Sequence, residues 1–326
     1  MTKQSKLGEM AEALCREFPS AATKALARML MKRGGNLVHG YEHARRIIRS
    51  YRGESGGLGR KYMRGRIVPT TKFACPASDA KPIIPFVWGI QGKGLLAADL
   101  HVPYHDSAAV EMAVNHAIAN DATDFVILLG DIQDHYQLSR FVKDARLRDL
   151  AGEVEMVKGL LAEFARVFGK VVYKAGNHER RYIDYLRLKA PELLGLDVLD
   201  LDNLLGLTAA GIEWLDWNRV IHVGEHLTLM HGHEFGHSII GPVNAARGLF
   251  LRAKACSVCA HYHATSQHDE PNVRGAALST WSVGCLCDLH PEYAPLNKWN
   301  HGFAILSTDG DDWEIENKRI VKGRVR

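Results

Sequence analysis

A layered α/β domain preceded by a small helical module is the fold this sequence predicts, and three observations predict it. From Phe86 onward, short apolar runs alternate with segments of helical periodicity. The first 52 residues carry helical patterns only. The charge also divides: Met1 to Gly94 holds 18 Lys and Arg against 6 Asp and Glu, whereas the remainder holds 23 against 31. A basic first quarter joined to an acidic remainder predicts two modules, the first with an affinity for polyanions. A solvated basic surface is the plainer alternative.

The bulk numbers bound this reading. A chain of 326 residues holds one large domain, or one plus a smaller one. Hydrophobic content of 46% with 24% charged residues is that of an ordinary globular protein, not a disordered one. No run of eighteen apolar residues occurs, so no membrane span is expected. Met1 to Lys24 mixes charges of both signs and lacks a secretory pattern, so the expected location is the cytoplasm. The six cysteines do not form the framework of a secreted disulfide protein. The 17 histidines fall in short patterns with Asp and Asn, which suits metal binding.

Residues 7–18, 21–33 and 41–51 read as three amphipathic helices. In the second, Ala22, Leu26, Met29 and Leu30 fall at helical spacing, and Gly34-Gly35-Asn36 breaks it. The third turns Ile47, Ile48 and Tyr51 inward and Arg45, Arg46, Arg49 and Arg52 outward. Three short helices with a basic last one fit a helix-turn-helix type module, residues 1–52. Residues 53–85 are rich in Gly, Pro and basic side chains and read as a linker. Residues 86–326 form the main domain. Its expected strands are Gly94–Ala98, Phe125–Leu129, Val171–Lys174, Leu227–Met230 and Ser257–Ala260. Its expected helices are 107–119, 149–168, 180–189 and 242–253.

Each of those strands runs into metal-ligand chemistry. The blocks, in order, are Asp99-Leu100-His101, Gly130-Asp131 with Asp134, Gly176-Asn177-His178-Glu179, His231-Gly232-His233, and His261-Tyr262-His263. A two-residue step on an extended chain puts both side chains on one side, so Asp99 and His101 are expected to converge, as are His261 and His263. Strand ends of an α/β sheet are where such folds place their sites. Carboxylates mixed with imidazoles and one amide suit divalent ions: Mn first, with Fe, Zn, Ni or Mg as alternatives. Seven ligands serve two ions only if one of them bridges, and a carboxylate has two oxygens to offer.

Taken together, the five blocks resemble the calcineurin-like metallophosphoesterase superfamily, in the order that family uses, from Asp99 to His263. No single block carries the match. The resemblance implies a four-layer α/β/β/α sandwich. It implies that Asp99, His101 and His263 hold one metal, that Asn177, His231 and His261 hold the other, and that Asp131 bridges. It also implies that His178 acts on the substrate rather than on a metal, with Asp134 hydrogen-bonding it. One departure is Ala260, where the last block usually has Gly. The whole layout, helical module included, is similar to members encoded by phages and prophages.

Two cations a few ångströms apart make hydroxide available near neutral pH and clamp phosphoryl oxygens during in-line attack. An imidazole held by Asp134 can serve the leaving oxygen. The expected activity is therefore a two-metal hydrolase cleaving phosphoester bonds by metal-activated hydroxide, most readily a phosphodiesterase or nuclease on DNA, with the basic module delivering the polyanion. A phosphomonoesterase is the alternative, although protein phosphatases carry Asp-Arg-Gly where this chain has Asp134-His135-Tyr136. A non-catalytic nucleic-acid-binding protein is the alternative from another class.

Other side chains stay open between two readings. His105, His135, His233 and His237 either line the pocket or sit in loops. Arg180 and Arg181 either hold substrate phosphate or are surface arginines at a helix start. Cys256, Cys259, Cys285 and Cys287 either bind a separate zinc or are buried free thiols. Trp299 and Tyr293 either stack on a base or pack in the core, within Trp281–Leu306, a stretch that reads as a late hairpin plus a pocket-edge loop.

Overall fold

The computed structural model describes residues 5–19, 21–52, 76, 78–80, 82–140, 149–236 and 243–326. It divides into two units, Met1–Ala80 and Lys81–Arg326. Most of the segment read as a linker, and His237, lie outside the described residues.

In the first unit, α1 (Lys6–Glu17), α2 (Thr23–Gly34) and α3 (Tyr41–Tyr51) enclose a core of their own. Ser5 caps α1 by accepting a hydrogen bond from the Gly8 amide at 3.2 Å. Leu7, Ala11 and Leu14 of α1 meet Leu26 and Leu30 of α2 and Ala44 and Ile48 of α3. Gly35 and Gly40, both at positive φ, supply the turn between α2 and α3. Arg45, Arg46 and Arg49 lie on the outer face of α3, as its periodicity predicts. Arg52 does not join them. Its guanidinium folds back on the α1–α2 turn, donating to the carbonyls of Ala21 (2.5 Å) and Pro19 (3.2 Å) and to the Thr23 hydroxyl (3.2 Å). Those oxygens end one helix and begin the next, and a cation there satisfies several of them at once.

The second unit stacks two sheets between helices. Its strands are β1 (Phe86–Trp88), β2 (Gly92–Ala97), β3 (Phe125–Leu129), β4 (Val171–Lys174), β5 (Glu213–Leu215), β6 (Ile221–Val223), β7 (Leu227–Leu229), β8 (Cys256–Cys259), β9 (Ser266–Pro271), β10 (Ala277–Ser282), β11 (Gly302–Asp309), β12 (Asp312–Val321) and β13 (Arg324–Val325). One sheet has the order β13-β12-β11-β2-β3-β4-β5, the other β1-β6-β7-β8-β10-β9. The run β2-β3-β4-β5 is parallel, and so are β7-β8 and β8-β10.

Buried strands have two covered faces, and alternation decides which side chain goes where. Leu95, Ala97, Val126 and Leu128 face the helices α4 (Ser107–Ala119), α5 (Leu150–Val167) and α6 (Asn177–Lys189), meeting Val110, Val157, Leu161 and Phe164. Leu96, Phe125, Ile127 and Leu129 face the other sheet, meeting Ile221, Leu227, Leu229 and Val258. Beyond that sheet, α8 (Ala245–Ala253) packs Leu249 on Met230 and Cys259; α7 is the short helix Leu201–Leu205. The result is an α/β/β/α stack; the late hairpin expected within Trp281–Leu306 falls further on, where β11 turns back into β12 over Gly302–Val321. No helix among the described residues is long and apolar enough to cross a membrane.

Two boundaries differ from expectation in ways that matter. The helix expected at 180–189 begins at Asn177, because Glu179 reaches back to accept the Gly176 amide at 2.7 Å. Asn177 and His178 therefore sit on the first helical turn. And β2 stops at Ala97, two residues before Asp99.

Candidate metal centre

The carboxyl ends of β2, β3 and β4 in one sheet meet those of β7 and β8 in the other, and the five ligand blocks meet there. Convergence within the Asp-x-His and His-x-His blocks does not come from strand alternation. Asp99, His101, Asp131, His261 and His263 all have φ between 51° and 68°. This left-handed region is costly for a residue with a Cβ and persists where surrounding structure enforces it. The enforcement is visible: the Asp99 amide donates to Gly130 O (3.0 Å) and the His101 amide to Asp131 O (3.0 Å). The Asp99 Oδ2 in turn accepts from the His261 amide at 2.9 Å. Ala260, in contrast, is not among the positive-φ residues, so its methyl group causes no backbone strain.

The seven expected ligands, His178 and Asp134 come together. Asp131 lies at the middle. Its Oδ1 accepts the His178 amide at 2.9 Å, leaving Oδ2 facing His231 Nε2 at 3.1 Å and His101 Nε2 at 4.0 Å. On one side, donor atoms of Asp99, His101 and Asp131 lie within 4.8 Å of one another; on the other, so do those of Asp131, His231 and His261. His263 Nε2 is 3.2 Å from His101 Nε2 and 3.4 Å from Asp99 Oδ1. Asn177 Oδ1 is 3.2 Å from His231 Nε2. Asp131 is common to both groups.

Whether these groups fit cations can be judged from their own bonding. Asp99 is fully buried, yet its Oδ1 has no hydrogen-bond partner, a costly state unless a cation serves that oxygen. His231 Nδ1 donates to the Leu129 carbonyl at 2.8 Å, so Nε2 is the nitrogen that faces Asp131 and Asn177 and is free to exchange its proton for a cation. His101 Nδ1 is fixed likewise by Asp134 Oδ1 at 3.0 Å. Burial alone would lower the pKa of His101 and of His231. The hydrogen bond that His101 donates to Asp134 and the charges of Asp131 and Asp99 reverse this for His101, raising it to about 9. Asp131, Asp99 and Glu234 do the same for His231, also to about 9. Carboxylates that hold buried imidazoles protonated in this way form a site with excess negative charge, suited to cations that would replace those protons. His261, whose burial outweighs its anionic neighbours, is lowered to about 4 and stays neutral.

His178 adjoins these groups, its Nε2 3.8 Å from Asp131 Oδ2 and its ring 4.3 Å from that of His101. Its Nδ1 faces two oxygens of Asp134, the carbonyl at 2.9 Å and Oδ1 at 3.1 Å, so the proton belongs on Nδ1. Arg181 Nη2 lies 2.7 Å from His178 Nε2, and its Nη1 donates to Asp134 O at 2.9 Å. Burial keeps His178 below its ordinary pKa. Asp134 serves two imidazoles through the same Oδ1, and despite its burial their hydrogen bonds hold it well below the usual carboxylate range.

The structure separates residues that the sequence leaves paired. Arg181 enters the site, whereas Arg180 stacks over Trp217 at 4.0 Å and pairs with Asp184 at 3.1 Å. His135 is fully buried, its Nδ1 bonded to the His178 carbonyl at 2.9 Å and its amide to Glu153 at 2.8 Å. His233 is packed between Trp217 and His231, and burial lowers it to about 3. Trp299 meets the His263 ring edge-on at 4.2 Å between centroids, with the exposed Tyr293 beyond it at 6.2 Å. The four late cysteines form no common group among the described residues; all are buried free thiols, but Cys287 lies against His101 and His263.

Glu179 is the participant that sequence reasoning passes over. It accepts from the amides of Asp131 (3.1 Å), Ile132 (2.8 Å), Gln133 (3.1 Å) and Gly176 (2.7 Å), and from the Tyr173 hydroxyl (2.8 Å). Its only signal is its place in Gly-Asn-His-Glu. Gly176 is equally constrained, since a Cβ there would collide with Asp131 Oδ1. On the far side, Glu234 accepts from the His231 and Gly232 amides at 3.1 and 2.6 Å and pairs with the fully buried Lys174 at 2.6 Å. Burial raises its pKa, but Lys174 and the neighbouring histidines bring it down to about 2.

Residues 93–274 match the family model of the calcineurin-like phosphoesterases. Two relatives are the Gene 54 proteins of Mycobacterium phages L5 and D29. Each is 27% identical over 246 residues, covering 71% of this chain and 94% of the phage protein. Among solved structures, a single mutant of Vps29 from Entamoeba histolytica aligns with 15% identity and a TM-score of 0.37, covering 72% of this chain and 96% of that one. Vacuolar Protein Sorting 29 from Cryptosporidium parvum aligns with 15% identity and a TM-score of 0.38, covering 73% and 96%.

Proposed function

Given that the chain belongs to the calcineurin-like phosphoesterase family, and so is a metal-dependent phosphoester hydrolase, we propose that it is a phosphodiesterase or nuclease acting on DNA. In this reading Asp99, His101 and His263 hold one divalent cation, and Asn177, His231 and His261 the other. Asp131, common to both groups, would serve both cations, and Mn is the first candidate metal. When bound, two such cations lower the pKa of a shared water and neutralise charge on the phosphoryl oxygens.

The chain's own contribution is positioning and charge. Asp134 aligns His101 for ligation and His178 for the substrate through a single carboxylate oxygen. His178 keeps its proton on Nδ1, and its Nε2 shares its surroundings with the Arg181 guanidinium. That pair offers the leaving oxygen an oriented imidazole and a fixed positive charge side by side. Glu179 holds the Asp131 loop rigid against both.

What supports DNA as the substrate is the outer face of α3. His39, Glu42, His43, Arg45, Arg46 and Arg49 line an open groove of about 630 Å³. Three arginines on one helical face are the electrostatic footprint of phosphate contact.

The test is the full chain with Mn, assayed on a bis-aryl phosphate, a mono-aryl phosphate, single-stranded DNA and duplex DNA. A companion variant changes Arg45, Arg46 and Arg49 to Ala. The proposal expects diester turnover to exceed monoester turnover, and the variant to lose DNA cleavage while keeping the small diester. Faster monoester turnover would make the protein a phosphomonoesterase, and equal loss on both diesters would remove α3 from substrate delivery.

A further inference from the structure

The cysteine pairs look like a zinc site by spacing, yet one of them faces elsewhere. Cys287 is 3% exposed, and its Sγ lies with a nitrogen of His101 and a nitrogen of His263, all three within 4.8 Å of one another. Its backbone is stitched to the segment that carries Asp99 and His101. The Leu286 amide donates to Asp99 O at 3.1 Å, the Asp106 amide to Leu286 O at 2.9 Å, and the Asp288 amide to Tyr104 O at 2.8 Å. Cys287 itself pairs with His105 as an isolated bridge, and its carbonyl accepts from His301 Nε2 at 2.9 Å. A buried thiol placed this firmly beside two imidazoles has little freedom to turn away.

The same corner holds a second sign of a ligand. Asp99 Oδ1, completely buried and without a hydrogen-bond partner, points toward His263 Nε2 at 3.4 Å. An anionic oxygen, two imidazoles and a sulfur around one space are a donor set for a borderline or soft divalent ion.

We propose that Cys287 is a further ligand of the cation assigned to Asp99, His101 and His263. The inference rests on the two-cation reading of the site. On binding, the S–H bond breaks, a sulfur–metal bond forms and the proton leaves to solvent, with no change in oxidation state. Sulfur at this position shifts the preference of that one site away from Mn and Mg and toward Zn, Co or Fe, while the other site keeps only oxygen and nitrogen donors. The two sites then differ in metal choice, and a mixed-metal centre is the expected occupied form.

The experiment strips the full-length protein of metal and titrates it with Co(II) alone. Visible d–d bands report coordination by the shared site, and a near-ultraviolet thiolate-to-cobalt charge-transfer band reports sulfur. The wild-type protein is expected to show both. Cys287→Ser is expected to lose the charge-transfer band and keep the visible ones. Cys285→Ser is expected to keep both, since Cys285, although its thiol neighbours that of Cys287, lies outside the group that Cys287 forms with His101 and His263 and bonds the Asn300 carbonyl at 3.6 Å. Visible bands without a charge-transfer band in the wild type would overturn the inference and leave the two-cation reading standing, and this outcome requires no variant. Persistence of the band in Cys287→Ser, or its loss in Cys285→Ser, would also overturn it. No visible bands at all would instead sink the two-cation reading.

Discussion

The two units handle charge in opposite ways. The first keeps most of it at the surface: Arg45, Arg46 and Arg49 line an open groove, and its core is built from Leu, Ala and Ile with Cys15 and Tyr51. The second buries it, with Asp99, Asp131, Lys174, Glu179 and His231 all at 1% exposure or less. Surface charge interacts through water and is screened by salt, so it recruits a polyanion with little effect on the fold. Buried charge is taken out of water and needs a partner for every oxygen and nitrogen. In the proposed reading one unit uses charge for encounter and the other for chemistry, and substitutions in the two should fail in different ways.

The largest effect is expected at the middle of the buried set. Asp131→Ala should abolish turnover and lower binding at both metal sites, read by metal analysis after gel filtration. Loss of one ion with the other retained would break the bridging assignment. His178→Ala should come next, cutting kcat by ~10²–10⁴-fold while metal content stays at the wild-type level. A parallel loss of metal would return His178 to the ligand set.

A third expectation concerns protons rather than rate. In the metal-free protein His101 and His231 are raised from 6.5 to about 9. Between those values the folded state holds protons that the unfolded chain has released. Their stabilisation is complete below pH 6.5 and is lost as pH rises through about 9. The melting temperature of chelated protein should therefore fall across that window, and that of metal-loaded protein should not. A flat profile after chelation would contradict the charge assignment.

The smallest effects divide two arginines of one helix. Arg52→Ala should cost about 1–3 kcal/mol, because it removes bonds to Pro19, Ala21 and Thr23. Arg46→Ala should change stability by less than about 0.5 kcal/mol, yet lower the salt dependence of DNA binding by about one counterion. Denaturant melts and binding isotherms at several salt concentrations separate the two. Equal behaviour would erase the contrast between encounter charge and structural charge.

What the sequence made legible follows from the same distinction. The strands ending at Leu129 and Lys174 and the ligand blocks beyond them could be read because each is local: an apolar run, then a carboxylate, amide or imidazole within four residues. A layered α/β domain followed from the alternation of those strands with helices, and the α/β/β/α stack from the family resemblance that the blocks carry. The direction of Arg52 was not legible, since its partners lie about thirty residues away on the preceding turn. Helical periodicity alone put it with Arg45 and Arg49. Asp99 and His101 converge as expected but by left-handed turns, which an extended-strand argument does not foresee. Cys287 was grouped with the other cysteines by spacing, whereas contacts spanning 162 residues, such as that between His101 and His263 beside it, set its surroundings. The helix start at Asn177 was missed because the reach of Glu179 to Gly176 is a matter of geometry.

Glu179 carries one more consequence. Four amide hydrogens, those of Asp131, Ile132, Gln133 and Gly176, end on its two oxygens. None can be released to solvent without disturbing the shared acceptor of the others. In deuterated water these four amides should exchange as one cooperative group, at a single rate set by opening of the loop. The loop around Asp131 then behaves as a latch that opens all at once or not at all.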